Sequence, residues 1–369
     1  MSEPFDIAII GGGIMGCATA LRLADGGMAP IVIEQGDIGR GASSANAGTL
    51  SLQIKRVKLM PYALRGHALW ESFGQAVGFR KTGGYTLAFT AQEAELLLER
   101  QRLKADAGAP IRFISPPEVR TAEPGLTERI AAASFCPADG FANSLLTGRF
   151  YRTRLGEAGI PYRTGSPVRA ISRDKTFAIT TPGEIITARR VLLATGGWLQ
   201  STARLLGVDV PVRTRINTVS VTERAPPLLS SQVGHATGLL TLKQKDNGTV
   251  LIGGGWQGHP NKEPSHTSMG RVNADTLRTN LALARYALPG LDQTRLLRSW
   301  TGFEGHTPDF YPLAGALPGV KDGFVLGCVR GGYTIGPYMG QLMGDFILGR
   351  EPEMPLFDPA RTFMQDSSL

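Results

Sequence analysis

A glycine-rich turn between two short apolar segments near the N-terminus constrains the fold of this chain most strongly. The stretch "FDIAIIGGGIMGCATALRLADGGMAPIVIEQGD" begins with a β-rich run, Ile7–Ile10, which is followed by glycines at positions 11, 13 and 16. A helical pattern then continues through Ala24, and a second strand, Ile31–Ile33, ends at Glu34. This order predicts a strand, tight turn, helix and strand of the kind that binds dinucleotides.

Each residue type in this unit has a physical role. Gly11 permits the tight turn, Gly13 lets the backbone approach a pyrophosphate, and Gly16 lets the helix pack close to the strand. The helix N-terminus offers unpaired N–H groups and a positive dipole end to the phosphates. Glu34 lies 21 residues after Gly13, where its carboxylate can accept hydrogen bonds from a ribose and would repel a 2′-phosphate. The pattern therefore disfavours NADP and leaves FAD and NAD open.

Length and charge limit the function classes. A chain of 369 residues favours two domains, because one core rarely grows that large. The formal charge of +8 is spread along the chain, and no basic run is interleaved with aromatic residues, so we expect no nucleic-acid partner. The densest basic segment, Lys55, Arg56, Lys58 and Arg65, is either a solvated helix face or a docking surface for an acidic partner.

The cysteines and the N-terminus indicate the compartment. Cys17, Cys136 and Cys328 show neither paired nor metal-ligand spacing, so we interpret them as packing residues in a reducing cytoplasm and predict no metal site. The N-terminus runs directly into a strand without a signal-peptide pattern. No run of 18 apolar residues exists, so we expect no transmembrane segment.

A second motif brings in a resemblance to a known family. The stretch "GRGASSANAGTLSLQ", 39–53, is rich in small and hydroxyl residues that allow a backbone to lie against a flat ligand, and a helical pattern follows from Leu59 to Phe73. It resembles the "RGAS-x-x-NAG" motif of the D-amino-acid oxidase (DAO) type of FAD-dependent oxidoreductases, which runs along the flavin end of FAD. The resemblance continues through "GSPVRAI", 165–171, expected as a strand, and "RRVLLATGGW", 189–198.

The resemblance and the residue patterns together predict an α/β fold. A Rossmann-like FAD-binding domain of the glutathione-reductase type is expected from residues 1–78, 142–208 and 298–369. Alternating stretches such as "GGYTLAF" and "GTVLIGGGW" predict a second, mainly antiparallel sheet. With its covering helices this sheet forms an inserted α+β substrate domain, residues 79–141 and 209–297.

The resemblance implies FAD as the cofactor. Because no Cys or His stands at a defensible attachment site, we predict that FAD is bound without a covalent link. The C-terminal stretch "GGYTIGPYMGQLMGDFIL" predicts a helix from Pro337 to Leu348, and in the family its N-terminus points at the flavin pyrimidine edge. Beyond Gly11, Gly13, Gly16 and Glu34, the residues expected to contact FAD are Ile14, Met15, Gln35, Ala42, Ser43, Asn46, Ala47, Gly48, Thr49, Val168, Ala194, Thr195, Gly196, Trp198, Gly302, Arg330, Gly331, Gly332, Tyr333 and Thr334.

The stretch "WTGFEGHTPDFYP", 300–312, departs from the family pattern "G-x-R-P-x-TPDG-x-P" on the substrate side of the flavin. Glu304 occupies the position of the arginine, so a cation-binding group replaces an anion-binding one. Glu304 therefore either meets a cationic part of the substrate or pairs with a neighbouring arginine of the protein. Arg330 matches the family position that binds the substrate α-carboxylate. His306 is a candidate for lining the pocket, and Tyr333 for stacking or hydrogen bonding at the flavin edge.

The expected chemistry is transfer of a hydride from the carbon next to nitrogen to flavin N5, which leaves an imine for water to hydrolyse. The chain looks most like the β subunit of opine oxidases and of proline or hydroxyproline dehydrogenases. That resemblance implies a partner subunit with an iron–sulfur cluster or a further cofactor. Two alternatives remain: a free-standing D-amino-acid or glycine oxidase, and a flavin-binding subunit that scaffolds or passes electrons.

Overall fold

The computed structural model of the chain describes residues 3–261, 270–327 and 330–363. The helices are α1 (Ile14–Asp25), α2 (Ala42–Ala45), α3 (Met60–Phe73), α4 (Ala91–Asp106), α5 (Pro116–Ala122), α6 (Ser144–Glu157), α7 (Leu199–Arg204), α8 (Ala274–Ala287) and α9 (Gly332–Ile347). The strands are β1 (Phe5–Ile10), β2 (Pro30–Ile33), β3 (Thr49–Leu50), β4 (Arg80–Lys81), β5 (Gly84–Ala88), β6 (Arg112–Ile114), β7 (Ala132–Cys136), β8 (Gly140–Phe141), β9 (Tyr162–Arg163), β10 (Ala170–Arg173), β11 (Phe177–Thr180), β12 (Ile185–Leu193), β13 (Arg213–Arg224), β14 (Gln232–His235), β15 (Thr241–Gln244), β16 (Thr249–Gly253), β17 (Leu296–His306), β18 (Leu313–Ala316) and β19 (Gly323–Gly327).

The chain divides into two compact units. The first takes Met1–Ser44, Ser144–Arg215 and Phe303–Ser367, and the second takes Ala45–Asn143 and Ile216–Gly302. The sequence analysis assigned residues 45–78 to the cofactor domain, whereas the structure groups them with the second unit. The reason is local pairing, because β3 forms antiparallel pairs with β8 of that unit.

The first unit is built on a sheet with the strand order β10-β11-β12-β1-β2-β9, to which β19 and β18 are joined at β12. Its centre is parallel: Ile9 of β1 lies opposite Val32 of β2 and Leu192 of β12. These three side chains are completely buried, as expected for parallel strands covered on both faces. The strand, turn, helix and strand unit predicted from the glycine spacing is confirmed.

Helices α1 and α9 pack closely in the first unit because α9 presents glycine every fourth residue. A Cβ atom at Gly340 would lie 2.5 Å from the Cβ of Ala18, and one at Gly344 would lie 2.6 Å from Cγ of Arg22. One turn earlier, a Cβ at Gly336 would lie 2.9 Å from Cγ2 of Ile14. This contact brings the first turns of the two helices side by side, next to the glycine turn.

The second unit contains a sheet with the order β17-β13-β16-β15-β14-β5-β7-β6. Its described pairs are antiparallel apart from β14 with β5. The prediction of a second, mainly antiparallel sheet is confirmed. Helix α4 begins with a capping box in which Thr90 and Glu93 exchange hydrogen bonds.

Two element predictions were wrong at their boundaries. The strand expected over 165–171 begins only at Ala170, because Gly165 has a left-handed φ of 60° and Pro167 has no N–H for a ladder. The helix expected to start at Pro337 begins at Gly332, after Gly331 with a φ of 70°. Pro337 is the sixth helical residue, where it removes one hydrogen bond.

The basic segment is not one solvated face, since Lys55 and Arg56 are buried while Lys58 and Arg65 are exposed.

Cys17 and Cys136 are buried free thiols, and Cys328 lies outside the described residues. Within the described ranges, the longest apolar helices are too short to cross a bilayer.

Candidate functional site

The glycine turn has the geometry that the sequence predicts. Gly11 has a φ of 111°, and a Cβ there would lie 2.4 Å from the carbonyl oxygen of Ala194. A Cβ at Gly16 would lie 2.0 Å from the carbonyl oxygen of Gly11. Larger residues at either position would therefore push the turn away from the helix or from the end of β12.

The N-terminus of α1 is open to an anion. Its N-cap residue Gly13 provides no side-chain cap, and the first turn of the helix carries no acidic residue. Ser43 Oγ accepts the N–H of Ile14 at 3.1 Å, which places the first turn of α2 beside this end. Met15 is the second residue of α1, and Ala42 is the first residue of α2.

Glu34 fastens the turn to the end of β2. Its Oε2 accepts the N–H of Gly12 at 2.7 Å, and its Oε1 accepts the N–H of Gly36 at 2.8 Å. Burial raises the pKa of Glu34 despite these two hydrogen bonds. Each carboxylate oxygen can accept a further hydrogen bond, so the position suits a ribose hydroxyl. Gln35 follows directly, and Val168 packs at the edge of the core of this unit.

Three buried hydroxyl groups in the first unit lack a hydrogen-bond partner among the described residues, and one of them is that of Tyr151 on α6. The other two belong to Thr195, in the turn after β12, and to Thr334, in the first turn of α9. Gly196 follows with a φ of 55°, and Trp198 packs against Phe303 with 5.4 Å between ring centroids. Buried unpaired hydroxyls are costly, so these two indicate a polar ligand group at this side of the sheet.

The start of α9 is hydrogen-bonded to Glu304, one of the predicted substrate residues. The backbone N–H of Gly331 donates to Oε1 of Glu304 at 2.8 Å. Arg330 is the residue before this N–H, and Gly332 is the residue after it. A carboxylate is thus held at a helix N-terminus, where the dipole stabilises negative charge.

His306 lies two residues beyond Glu304, at the end of β17. Its Nδ1 is 3.1 Å from the carbonyl oxygen of Thr307. Its ring is stacked on Phe310, with 5.0 Å between centroids and 13° between planes. Phe310 has a φ of 62°, a left-handed conformation that a phenylalanine rarely adopts.

The hydroxyl of Tyr333 lies 3.0 Å from Oγ1 of Thr147 on α6, so the two side chains form a hydrogen bond within the chain. Burial raises the pKa of this phenol well above its usual range. The contact with Thr147 was not predicted.

The segment 46–49 belongs to the second unit, where it is fixed by several hydrogen bonds. Asn46 Oδ1 accepts the N–H of Gly48 at 2.6 Å, and the carbonyl of Gly48 accepts the N–H of Ala142 at 2.9 Å. Thr49 on β3 pairs with Phe141 on β8. Ala47 lies two residues before Thr49 in the sequence. Gly302 lies close to the start of the same segment, since a Cβ there would be 2.8 Å from the Cβ of Ala45.

Sequence reasoning missed Lys243, a completely buried lysine on β15. Its Nζ donates to Oγ1 of Thr49 at 2.5 Å and lies 5.5 Å from the ring centre of Phe141. Burial, followed by the positive charge of Lys245, lowers the pKa of Lys243 well below its usual value. Its ordinary place in the polar-apolar alternation "TLKQ" gave no signal that it would be buried.

The predicted residues therefore fall into two sets. The first unit holds the glycine turn, Glu34, the turn after β12 and the cluster at the start of α9. The second unit holds Asn46, Ala47, Gly48, Thr49 and Gly302. Within the first unit, an open helix end, a glycine turn and buried unpaired hydroxyls fit a dinucleotide such as FAD.

These features define a two-unit α/β protein with a dinucleotide-binding turn, and comparison with known proteins gives the family. The model of the family described as "DAO: FAD dependent oxidoreductase" matches residues 6–346. The chain belongs to the DAO family of FAD-dependent oxidoreductases.

Individual relatives are more distant. An opine oxidase subunit of Rhizobium meliloti is 28% identical over 345 residues, covering 88% of this chain and 89% of the relative. Glycine oxidase of Geobacillus kaustophilus (strain HTA426) is 29% identical over 371 residues, covering 96% of each chain.

Solved structures agree with the fold. The crystal structure of glycine oxidase from Geobacillus kaustophilus has a TM-score of 0.87 at 26% identity and covers 98% of this chain and 100% of its own. L-proline dehydrogenase from P.horikoshii has a TM-score of 0.86 at 23% identity, covering 97% and 98%, and shows the fold alone. The prediction of a DAO-type fold is confirmed.

Proposed function

We propose that this chain oxidises the C–N bond of an amino-acid-type amine, with FAD as the acceptor of the electrons. When bound, the flavin supplies hydride acceptance at N5, and the protein orients the substrate. The product imine is then hydrolysed by water. The substrate is a primary or secondary amine that carries a carboxylate next to the reacting carbon.

The observation that carries this proposal is the hydrogen bond between Gly331 and Glu304. It holds the carboxylate of Glu304 at the backbone N–H of the residue that follows Arg330, so this anion lies beside the chain segment that carries a cation. An amino acid carries the complementary pair of charges. In this proposal Arg330 binds the α-carboxylate, and Glu304 meets an ammonium or guanidinium group.

The cofactor is assigned to the first unit. The α1 N-terminus and the glycine turn would hold the pyrophosphate, and Glu34 would hold the ribose. Thr195 and Thr334 would find their missing hydrogen-bond partners on FAD. The other residues of the predicted contact set retain the roles that the resemblance implies.

The finer substrate class is an opine-like N-substituted amino acid or an imino acid such as proline or hydroxyproline. The similarity to a protein named as a subunit of opine oxidase supports it, as does the carboxylate of Glu304. That relative's name also supports a hetero-oligomer in which a partner subunit contributes an iron–sulfur cluster or a further cofactor. A cytoplasmic location completes this proposal.

The main alternative is a free-standing glycine or D-amino-acid oxidase. Glycine oxidase of Geobacillus kaustophilus matches the chain over 96% of its length, which favours this function specifically. The two functions differ in the electron acceptor. Purified alone, a free-standing oxidase produces hydrogen peroxide from glycine or D-proline in air, whereas a dehydrogenase subunit needs an added acceptor.

Anaerobic spectroscopy tests the proposed function. The purified chain is expected to show a flavin absorbance near ~450 nm, a property of the cofactor. Octopine, nopaline, proline, glycine and D-proline are then added separately without oxygen. Bleaching by octopine, nopaline or proline supports the proposal, and bleaching by glycine or D-proline alone supports the alternative. If no amine bleaches the flavin, the remaining function is that of a flavin-binding subunit that scaffolds or passes electrons.

The mode of FAD binding has its own test. Precipitation of the protein in acid releases a non-covalently bound flavin into the supernatant. Yellow colour that stays with the pellet would contradict non-covalent binding.

A further inference from the structure

The side chains of His306 and Glu304 share one face of β17. They are two residues apart in a strand, where alternate side chains point to the same side. Both are partly exposed, while Gly305 and Thr307 between and after them are buried. The imidazole therefore lies on the same side of the strand as the carboxylate at the start of α9.

The hydrogen bond to Thr307 determines which nitrogen of His306 carries the proton. A carbonyl oxygen only accepts, so Nδ1 must donate in the contact of 3.1 Å. In the neutral ring, Nε2 is then a hydrogen-bond acceptor. Among the residues that the structure describes, none donates to this Nε2.

Phe310 holds the ring in place at a conformational cost. Its stacking on His306 is nearly parallel, and residue 310 adopts a φ of 62° in the same arrangement. A non-glycine residue in this region costs about 1–2 kcal/mol. Strain of this kind is found where the surrounding structure fixes a side chain that has a task.

The geometry points to His306 as the group that takes a proton from the substrate ammonium before the C–N bond is oxidised. This inference rests on the proposed function and adds a base to it. Amines are mostly protonated at neutral pH, and an ammonium nitrogen has no lone pair with which to assist loss of a hydride from the neighbouring carbon.

The proton transfer balances within the site. The N–H bond of the ammonium breaks, its electron pair stays on the substrate nitrogen, and a new N–H bond forms at Nε2. His306 becomes an imidazolium, which the negative charge of Glu304 on the same face stabilises. The other charged pair in contact with this segment, Asp309 with Arg361 at 2.8 Å, is already neutralised internally. Imidazole suits the step because its unprotonated nitrogen carries the electron pair that accepts the proton.

Nitrogen-15 NMR of histidine-labelled protein whose flavin has been reduced beforehand, and which therefore cannot oxidise an amine, tests the inference without turnover. The chain has five histidines, and a His306→Asn variant identifies the signals of His306. In the protein without substrate, we expect the neutral tautomer with the proton on Nδ1. The opposite tautomer, with the proton on Nε2, would overturn the assignment.

Two ligands then separate proton transfer from simple binding. Sarcosine carries N–H bonds on its ammonium, whereas glycine betaine has the same carboxylate and a quaternary nitrogen that cannot lose a proton. At saturation, sarcosine is expected to convert His306 to the imidazolium, and glycine betaine is expected to leave it neutral. The same spectrum with both ligands, or no change with sarcosine, glycine and L-proline, contradicts the inference.

The kinetic readout distinguishes this role from a structural one. His306→Asn keeps a donor for the carbonyl of Thr307 but has no basic nitrogen. Flavin reduction by the amine that bleaches the wild type should slow about 100-fold at neutral pH, with ligand affinity changed less than about threefold. Unchanged reduction would remove His306 from the reaction. If no amine bleaches the wild type, the proposed function fails, while the NMR experiments still decide whether His306 takes the proton.

Discussion

The carboxylate of Glu304 accepts a hydrogen bond from the backbone N–H of Gly331, with 2.8 Å between Oε1 and the nitrogen. The two residues are 27 positions apart in sequence, at the end of β17 and at the N-cap of α9. Glu304 therefore has two roles: it caps a helix, and it places negative charge in the proposed substrate site. Substitutions can separate the two.

Glu304→Gln keeps an acceptor for the N–H of Gly331 but removes the charge. We expect the free energy of unfolding to change by less than ~1 kcal/mol, while preference for nopaline over proline falls about tenfold. Glu304→Ala loses the cap as well and should cost about 1 kcal/mol of stability. Urea unfolding and anaerobic flavin reduction measure the two effects. A Glu304→Gln variant with unchanged substrate preference would show that Glu304 acts only as a cap.

Arg330 is expected to determine affinity for the substrate carboxylate. Arg330→Met should weaken binding of amino-acid ligands about 10- to 100-fold, since a charge-assisted hydrogen bond contributes about 1.5–3 kcal/mol. Arg330→Lys keeps the charge without the planar guanidinium. Its affinity for amino-acid ligands should lie between those of the wild type and Arg330→Met. Titration of the flavin spectrum with each ligand gives the dissociation constants. Equal constants for the three proteins would exclude a direct contact between residue 330 and the carboxylate.

Gly11 should be required for cofactor binding for steric reasons. Gly11→Ala places a Cβ 2.4 Å from the carbonyl oxygen of Ala194 at a φ of 111°, which should cost roughly 2–5 kcal/mol. Gly27→Ala is a matched control, because its φ of 86° imposes similar backbone strain but no atom lies within 4 Å of the added Cβ. We expect Gly27→Ala to purify yellow and Gly11→Ala to purify with little flavin. Equal flavin content would show that the close approach to Ala194 is not needed.

Lys104 predicts a specific pH dependence of stability. It is buried on α4, where its Nζ donates to the carbonyl of Gln53 at 2.5 Å, and burial lowers its pKa to about 8. In the unfolded chain a lysine titrates near pH ~10.4, so between about pH 8 and 10.4 the unfolded state binds more protons than the folded state. The contribution of Lys104 to stability therefore rises with pH across this window.

The Lys104→Met variant isolates this effect, because the other titrations cancel in the difference. The free energy of unfolding of the wild type should gain ~2–3 kcal/mol over that of Lys104→Met between pH 7.5 and 10.4. Urea unfolding at several pH values measures this difference. A difference that is constant with pH would mean that Lys104 keeps an ordinary lysine pKa in the folded protein.

Local sequence signals predicted the parts of the fold that depend on neighbouring residues. The glycine spacing and the terminal carboxylate of Glu34 lie within one βαβ unit, so the turn was predictable. Lys243 and Thr49 are 194 residues apart, and their hydrogen bond exists only because β15 and the segment around β3 are in the same unit. The spacing of polar and apolar residues along the sequence does not indicate a contact between residues so far apart.

The error at Pro337 has a similar origin. Proline favours the first helical turn, and this preference alone predicted the start of α9. In the folded chain, the left-handed conformation of Gly331 and the close packing of Gly336 and Gly340 on α1 extend the helix toward its N-terminus. Tertiary packing outweighed the lost hydrogen bond.

Phe310 offers a direct measurement of the strain that fixes His306. Phe310→Gly and Phe310→Ala both remove the stacked ring, but only glycine adopts a φ of 62° without cost. The glycine variant should therefore be more stable than the alanine variant by about 1–2 kcal/mol. Urea unfolding of the two variants gives this difference, in which the lost ring contacts cancel. Equal stability of the two variants would mean that residue 310 relaxes to an ordinary φ at no cost, and the left-handed conformation would then not be what holds the ring against His306.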